Sequence, residues 1–541
     1  MSDGTAATEK RRGILAWIER TGNRLPDPVF IFFYLIGILI VLSVIAAVTG
    51  WSAAHPTEID EATGAARIIS AESLLSANNI QRLWVEMPTT FTHFHPLGFV
   101  LVVMLGAGVA ERCGLFGTAM RAGVRNAPTN FLTPVVALAA MLGNLAADAA
   151  YVVLIPLAGV IYAAAGRHPI AGIAAAFAGV SGGFSANLLP GSLDALLFGI
   201  TQAAVETVFV GWEANIAGNW FFIVAMTCIF LPVIWYVTDR IIEPRLGTYT
   251  PQGQAAVAAG QPLPSAEAEA DDHADIDAPL TPEQKKGLRN AGLAVLGIVG
   301  LWVFFTVGPG TPLIDEEAPI PEARLTPFYN SLVAAFFVLF LAAGWAYGRA
   351  AGTIGDHRDL VKMMTDSMAD LAYYLVLAFA AAHFVAMFSW SNMGLILAVK
   401  GADGLQALAL PAPLLLAMVV IFTGLLNLFV GSASAKWALL APVLVPMLML
   451  LGISPEMTTA AYRVGDSATN IITPLMVYLP LVLVFCQRWL PDFGIGSLLA
   501  TMVPYSVWMM VMGIVLVIVW VAFGIPLGPG AEVFTELPVT P

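Results

Sequence analysis

Residues 455–480 constrain this chain more than any other stretch. The run from Pro455 to Pro480 is long enough to cross a bilayer, yet Arg463 and Asp466 stand in its middle, followed by Ser467-Ala-Thr469-Asn470 and Pro474. Each charge costs roughly 2.5–3.5 kcal/mol at the centre of an inserted helix, so such a segment exists for function. Lipid cannot satisfy freed N–H and C=O groups, and irregular backbone at membrane depth survives only where protein buries it or a wet cavity meets it. The stretch predicts a helix broken at Gly465-Asp-Ser-Ala-Thr-Asn470 that lines a solute pathway.

Composition decides whether "membrane" is the right word. The 541 residues are 58% hydrophobic and only 11% charged, against about 25% charged in soluble domains. The chain is a polytopic membrane protein, expected to be all-α. Its net charge of −13 sits largely in loops and a linker and gives nothing in favour of nucleic acid, so no nucleic-acid partner is expected. Cys113, Cys228 and Cys486 lie far apart and read as reduced thiols. The N-terminus has no cleavable signal pattern, so the first apolar run is expected to remain as an anchor.

Nine apolar runs are long enough to span: about 27–49, 96–112, 169–205, 217–239, 288–307, 328–348, 367–397, 457–484 and 498–524. Two more, 128–165 and 405–451, are too long for one helix and carry small polar residues midway; they read as re-entrant hairpins, with two short spans each as the alternative. With the N-terminus cytoplasmic, 18 of the 24 Lys and Arg residues fall inside, four outside and two (Lys436 and Arg463) within the membrane. The mouth of the first hairpin then opens to the cytoplasm, that of the second to the outside, and the C-terminus is periplasmic. The domains are 1–26, a cytoplasmic N-terminus; 27–245, a first half; 246–287, a cytoplasmic linker of disordered composition; and 288–541, a second half.

The halves resemble each other. A polar tip after Gly143, a turn before Pro169 and Ser185-Ala-Asn187 before Pro190 recur as the tip after Gly431, the turn before Pro455 and Ser467-Ala-Thr-Asn470 before Pro474, at offsets of 288, 286 and 284. Opposite hairpin mouths make this an inverted repeat. Inverted repeats with broken helices are the architecture of secondary transporters, which bind solute at the midplane.

Each notable residue has a plainer reading. Asn144, Asp148, Ser432 and Ser434 at the tips suit helix capping, although a capped half-helix end also builds an ion site. Ser185, Asn187, Ser467, Thr469 and Asn470 mark the breaks, and Asn144, Ser185, Ser432 and Thr469 are candidate sodium ligands; no other metal site is assigned. Asp194 competes with a snorkelling surface carboxylate, and Lys436 reads as snorkelling with no assigned role. His383 reads as a core histidine, His93 and His95 as a weak pair at a membrane edge. Gly179-Val-Ser181-Gly-Gly183 has the spacing of a nucleophile elbow but no preceding strand. Arg463 and Asp466 share one helix face. They are either a mutual ion pair or are held apart, the arginine for an anion and the aspartate for a cation or proton.

The sequence Gly431-Ser-Ala-Ser434-Ala-Lys-Trp437, with Pro455, Tyr462-Arg463-Val-Gly-Asp466-Ser-Ala-Thr-Asn470 and Pro474, resembles the p-aminobenzoyl-glutamate transporter (AbgT) family; Asn144-Leu-Ala-Ala-Asp148-Ala-Ala-Tyr151 and Ser185-Ala-Asn187 resemble its first half. The resemblance covers nearly the whole chain outside the linker. It implies a homodimer in the bacterial inner membrane, with nine transmembrane helices and two hairpins per subunit. It also implies transport of p-aminobenzoyl-glutamate and, in some members, efflux of sulfonamide antimetabolites. Functional positions implied by it are Asp194, Ser434, Trp437, Pro455, Arg463, Asp466 and Pro474.

The expected function is secondary transport driven by protons or sodium, without an organic cofactor and without enzymatic chemistry. Arg463 and half-helix N-termini attract a carboxylate or sulfonyl group, and Trp437 stacks on an aryl ring. The alternatives are sodium-coupled transport of another small carboxylate, an ion channel, or a membrane hydrolase. No phosphate-binding G-x-x-x-x-G-K-[ST] motif supports an ATP-driven pump.

Overall fold

The computed structural model describes residues 27–59, 66–125, 128, 131–146, 149–209, 212, 215–247, 280–307, 310–316, 324–473, 475–476 and 478–535. Among them the architecture is nearly all helical. Seven helices are long and apolar enough to cross a membrane: Val29–Val48, Ala77–Arg112, Ile216–Leu246, Pro282–Val307, Leu332–Ala351, Ala372–Trp390 and Ile495–Phe523. They answer to seven of the nine expected runs. The other two, 169–205 and 457–484, are the broken ones.

Ten helices build the centre of the molecule. The first hairpin is α1 (Leu132–Gly143) and α2 (Ala149–Ala164), joined through a 3-10 turn at Asn144–Ala146. Next come α3 (Pro169–Phe177), which continues as a π turn over Ala178–Gly182, and, beyond an open segment, α4 (Ser192–Val205). The helix α5 (Trp220–Val237) closes this half. The second hairpin is α6 (Ala412–Asn427) and α7 (Ala433–Met449). It is followed by α8 (Pro455–Asn470), α9 (Leu479–Gln487) and α10 (Ile495–Phe523).

The predicted break in the second half lies one turn too early. Helix α8 runs unbroken through Gly465, Asp466 and Ser467 and ends at Asn470, and the chain opens only between Ile471 and α9. All residues of α8 are buried and both of its central charges are paired, so nothing forces the backbone apart there. The first-half break at Ser185-Ala-Asn187 falls in the open segment between α3 and α4. Pro474 and Asp148 lie outside the described residues, as do the first 26 residues and most of the linker.

Helix α5 acts as a ruler between the two hairpin mouths. Just past its C-terminus, Asp239 and Glu243 hold Arg167, from the turn before α3, with Asp239 Oδ1 at 2.5 Å from the guanidinium. Just before its N-terminus, Asn219 Nδ2 donates to the Glu456 carbonyl of α8 at 3.0 Å. The 18 residues of α5 rise about 27 Å, so the turns at 165–168 and 452–454 sit on opposite faces. The chain after α10 returns to the second of these faces: Ser454 N–H donates to the Val533 carbonyl at 3.0 Å and Thr535 N–H to that of Gly452 at 2.9 Å. This geometry agrees with an inverted repeat and puts the C-terminal segment on the face of the second mouth.

Helices α6 and α8 cross closely because glycines meet there. A Cβ on Gly465 would stand 2.2 Å from both the Val420 carbonyl and the Thr423 hydroxyl. Small residues allow helix backbones this approach in a membrane. The two largest apolar cores each draw on both halves: one joins α1–α3 and α5 to α8–α10, the other joins α4 and the helix Pro28–Val48 to Ala372–Trp390, α7 and α8. Hydropathy missed an antiparallel hairpin, Ser52–Ile59 with Ala66–Ser70, the polar-faced helix His357–Asp370, and the polar-faced first part, Ala77–Thr92, of the span Ala77–Arg112. It also merged the separate helix Met393–Ala407 into neighbouring runs. All three cysteines are free thiols.

Candidate functional site

Helix α8 carries the chemistry. Its first turn opens with Ser454 accepting from Met457 N–H and Pro455 at the first helical position, where no donor is lost. Eight residues on, Arg463 donates from Nη1 to Asp194 Oδ1 at 2.6 Å, and both side chains are almost wholly buried. Asp194 sits in the first turn of α4; its other oxygen accepts from the N–H of Gly191 at 2.7 Å. The pair ties the first broken helix to the second and rules out the mutual ion pair of Arg463 with Asp466: the two charges of α8 are held apart, each with its own partner.

The partner of Asp466 is Lys436, on α7. The ammonium donates to Asp466 Oδ1, to Asn427 Oδ1 at 2.6 Å and to the Val430 carbonyl at 3.4 Å, and the whole residue is buried. Asn427 in turn donates to the Asp466 carbonyl at 2.8 Å and to Thr469 Oγ1 at 3.0 Å. The snorkelling expectation for Lys436 is therefore overturned: it points inward because a carboxylate at membrane depth requires a counter-ion. The signal was in the sequence. Two basic residues within the membrane, Lys436 and Arg463, matched two acids, Asp194 and Asp466.

Trp437 is fully buried, stacked on Tyr462 with ring centroids 4.4 Å apart, and its indole N–H is shared by the Leu197 carbonyl and the Thr201 hydroxyl. Thr201 also meets Thr459 at 3.0 Å, and Tyr462 donates to the Ala433 carbonyl at 2.6 Å. Nothing in the sequence pointed to Asn427, Thr201 and Thr459, because hydroxyls and amides in apolar helices show no spacing of their own.

Ser432 caps α7 by accepting from Ala435 N–H, and its hydroxyl lies 3.3 Å from that of Ser434. Asn470 donates to the Ser181 carbonyl at 3.2 Å, which joins the two breaks. Asn144 donates to the Met141 carbonyl at 3.1 Å; Asn187 donates to the same carbonyl and accepts from Leu188 N–H. The four candidate sodium ligands divide accordingly. Asn144 and Ser185 belong to the first hairpin and break, Ser432 and Thr469 to the second. Pro455 lies 11 residues from Asp466, about 17 Å along α8, so it sets the helix start and stands apart from the charged pairs. His383 Nδ1 donates to the Phe379 carbonyl, as expected of a core histidine, and the Ser181 hydroxyl faces the sulfur of Met476.

Three buried polar atoms near the breaks lack a partner among the described residues: Arg463 Nε, Ser467 Oγ and Ser185 Oγ. The first two lie one turn apart on α8. Buried polar groups are nearly always bonded, so a donor and a hydroxyl left without partners one turn apart are places where a polar ligand has bonds to gain.

Three comparisons bear on this site. The model of the AbgT putative transporter family matches residues 13–535. The p-aminobenzoyl-glutamate transport protein of Escherichia coli (strain K12) is 33% identical over 532 residues, covering 98% of this chain and 99% of its own. The Alcanivorax borkumensis YdaH transporter superposes with a TM-score of 0.82 at 41% identity, over 93% of this chain and 100% of its own. Neisseria gonorrhoeae MtrF, described as illuminating a class of antimetabolite efflux pumps, gives 0.84 at 38%, over 96% and 100%.

Proposed function

Because the chain belongs to the AbgT family and is a membrane transporter rather than an enzyme, we propose that it moves p-aminobenzoyl-glutamate or exports sulfonamide-type antimetabolites, driven by a proton or sodium gradient. The names of two relatives supply the solute classes: one is a p-aminobenzoyl-glutamate transport protein, the other stands for antimetabolite efflux pumps. The observation that carries the reading is the half-used Arg463, anchored by Asp194 through Nη1 while Nε stays open beside the free hydroxyl of Ser467.

A buried guanidinium held by one carboxylate retains donors for a second, and a carboxylate or sulfonyl oxygen fits that fork. Trp437 meets the aryl ring of the solute once its face parts from Tyr462. Asp466 serves the coupling cation, and if sodium drives the cycle, Asn144 and Ser185 supply oxygens for it in the first half and Ser432 and Thr469 in the second. The protein works as a homodimer in the bacterial inner membrane, as the family resemblance implies, with the N-terminus cytoplasmic and the C-terminus periplasmic, as the distribution of Lys and Arg favours.

The deciding experiment reconstitutes the protein in liposomes and follows p-aminobenzoyl-glutamate and a sulfonamide under imposed proton and sodium gradients separately. Uphill accumulation with one of the two gradients is expected. Solute that only equilibrates is the behaviour of a channel and overturns the reading.

A further inference from the structure

Among the described residues Lys436 is a fully buried charge to which the proposed cycle gives no part. A lysine ammonium has three donors and no acceptor. Here all three are spoken for by Asp466 Oδ1, Asn427 Oδ1 and the Val430 carbonyl, and the last two belong to the far arm and tip of the same hairpin. Two neutral oxygens therefore hold the ammonium in place even when the carboxylate is taken away from it.

The surroundings supply no substitute cation. Helix α6 carries no titratable residue, and Lys436 is the only one on α7. On α8 the nearby ionisable groups are Tyr462, whose ring centroid lies 5.9 Å from Nζ, and Arg463, which is committed to Asp194 of α4. The helices Ala372–Trp390 and Met393–Ala407, packed on α7, bring His383, Lys400 and Asp403, and none of these bonds to the pair. Tyr505 of α10 is bonded to Thr238.

We propose that Lys436 is a coupling residue: its ammonium is the resident counter-cation of Asp466, and the coupling cation and the ammonium occupy that carboxylate in alternation. This rests on the reading of the chain as a cation-driven transporter. When hydronium on the open side delivers a proton, one of its O–H bonds breaks as an O–H bond forms on Asp466, and a neutral water is left behind. When sodium arrives, it binds the carboxylate as an ion. In both cases Lys436 keeps its protons and stays on Asn427 Oδ1 and the Val430 carbonyl, while Asp466 no longer ties α8 to the hairpin. Cation binding thus frees a contact between the hairpin and the broken helix.

The distinguishing consequence is a gain. Removing a competitor strengthens binding of the coupling cation, whereas removing a structural strut does not. In liposomes, Lys436→Met and Lys436→Gln are expected to reach half-maximal uptake of p-aminobenzoyl-glutamate at about tenfold or more lower proton or sodium concentration, since an opposite charge at this distance shifts cation affinity by at least that factor. Lys436→Arg keeps the competing charge and the wild-type dependence. Lys436→Met combined with Asp466→Asn loses the dependence altogether. An unchanged or weakened cation dependence in folded Lys436→Met or Lys436→Gln overturns the proposal. So does failure of both to fold while Lys436→Arg folds, which makes the ammonium a strut. Wild-type uptake indifferent to both gradients instead removes the transporter reading itself.

Discussion

At the scale of single residues, the fold is shaped by how charges are neutralised. Arg463 and Asp194 sit in different halves and in different helices, and each is the other's ion-pair partner. Removing one member of a buried pair leaves an uncompensated charge, at a cost of about 3–5 kcal/mol, and removing both recovers much of it. Thermal unfolding should show Arg463→Ala and Asp194→Ala strongly destabilised and the double alanine variant close to wild type, while none of the three transports. Uphill transport by the double variant is the result that removes the anion-binding role. His168 offers a second test at this scale. Its Nδ1 accepts from Ile170 N–H at 3.2 Å and so caps α3, and burial lowers its pKa below the ordinary 6.5. The folded protein therefore prefers the neutral ring. That preference stabilises it fully above pH 6.5 and is lost as pH falls through the lowered value. His168→Asn, which caps at any pH, should flatten the fall in melting temperature on acidification, an effect of about 1 kcal/mol.

At the scale of elements, the crossing of α6 and α8 tolerates no side chain at Gly465. An alanine there would push against backbone of α6 as well as against the Thr423 hydroxyl, and Gly465→Ala should cost about 3 kcal/mol. In the helix Pro28–Val48, Gly37 has open space around it, so Gly37→Ala should be neutral or slightly stabilising. Equal melting shifts for the two would refute the close crossing. Elements of this kind show how far the sequence could be read. Long apolar runs, the two hairpins and the first break were legible because lipid imposes length and polarity on them. The second break was misplaced because Arg463, Asp466 and Ser467 look like a reason to unwind until their partners on α4 and α7 are known. Those partners lie tens to hundreds of residues away, and pairing across such distances leaves no local pattern. Short or polar-faced elements, such as the hairpin Ser52–Ile59 with Ala66–Ser70, fell below what hydropathy detects.

At the scale of the whole molecule, α5 separates the two hairpin mouths. A single cysteine placed at 166–168 should be reached by a membrane-impermeant thiol reagent only from the cytoplasm, and one at 453–455 only from the periplasm, in a protein whose Cys228 has been replaced. Labelling of both from one side is incompatible with the positions of Arg167 and Glu456 at opposite ends of that helix. The two cores that draw on both halves have a further consequence. Each half gives part of its interior to the other: α4 packs on α7 and α8, and α5 on α10. The repeats are thus interlocked like clasped hands rather than placed side by side like two domains. A gene cut between codons 250 and 280 should yield two fragments that are each degraded when made alone yet protect one another when made together, so that continuity of the polypeptide matters less to this protein than the embrace of its two halves.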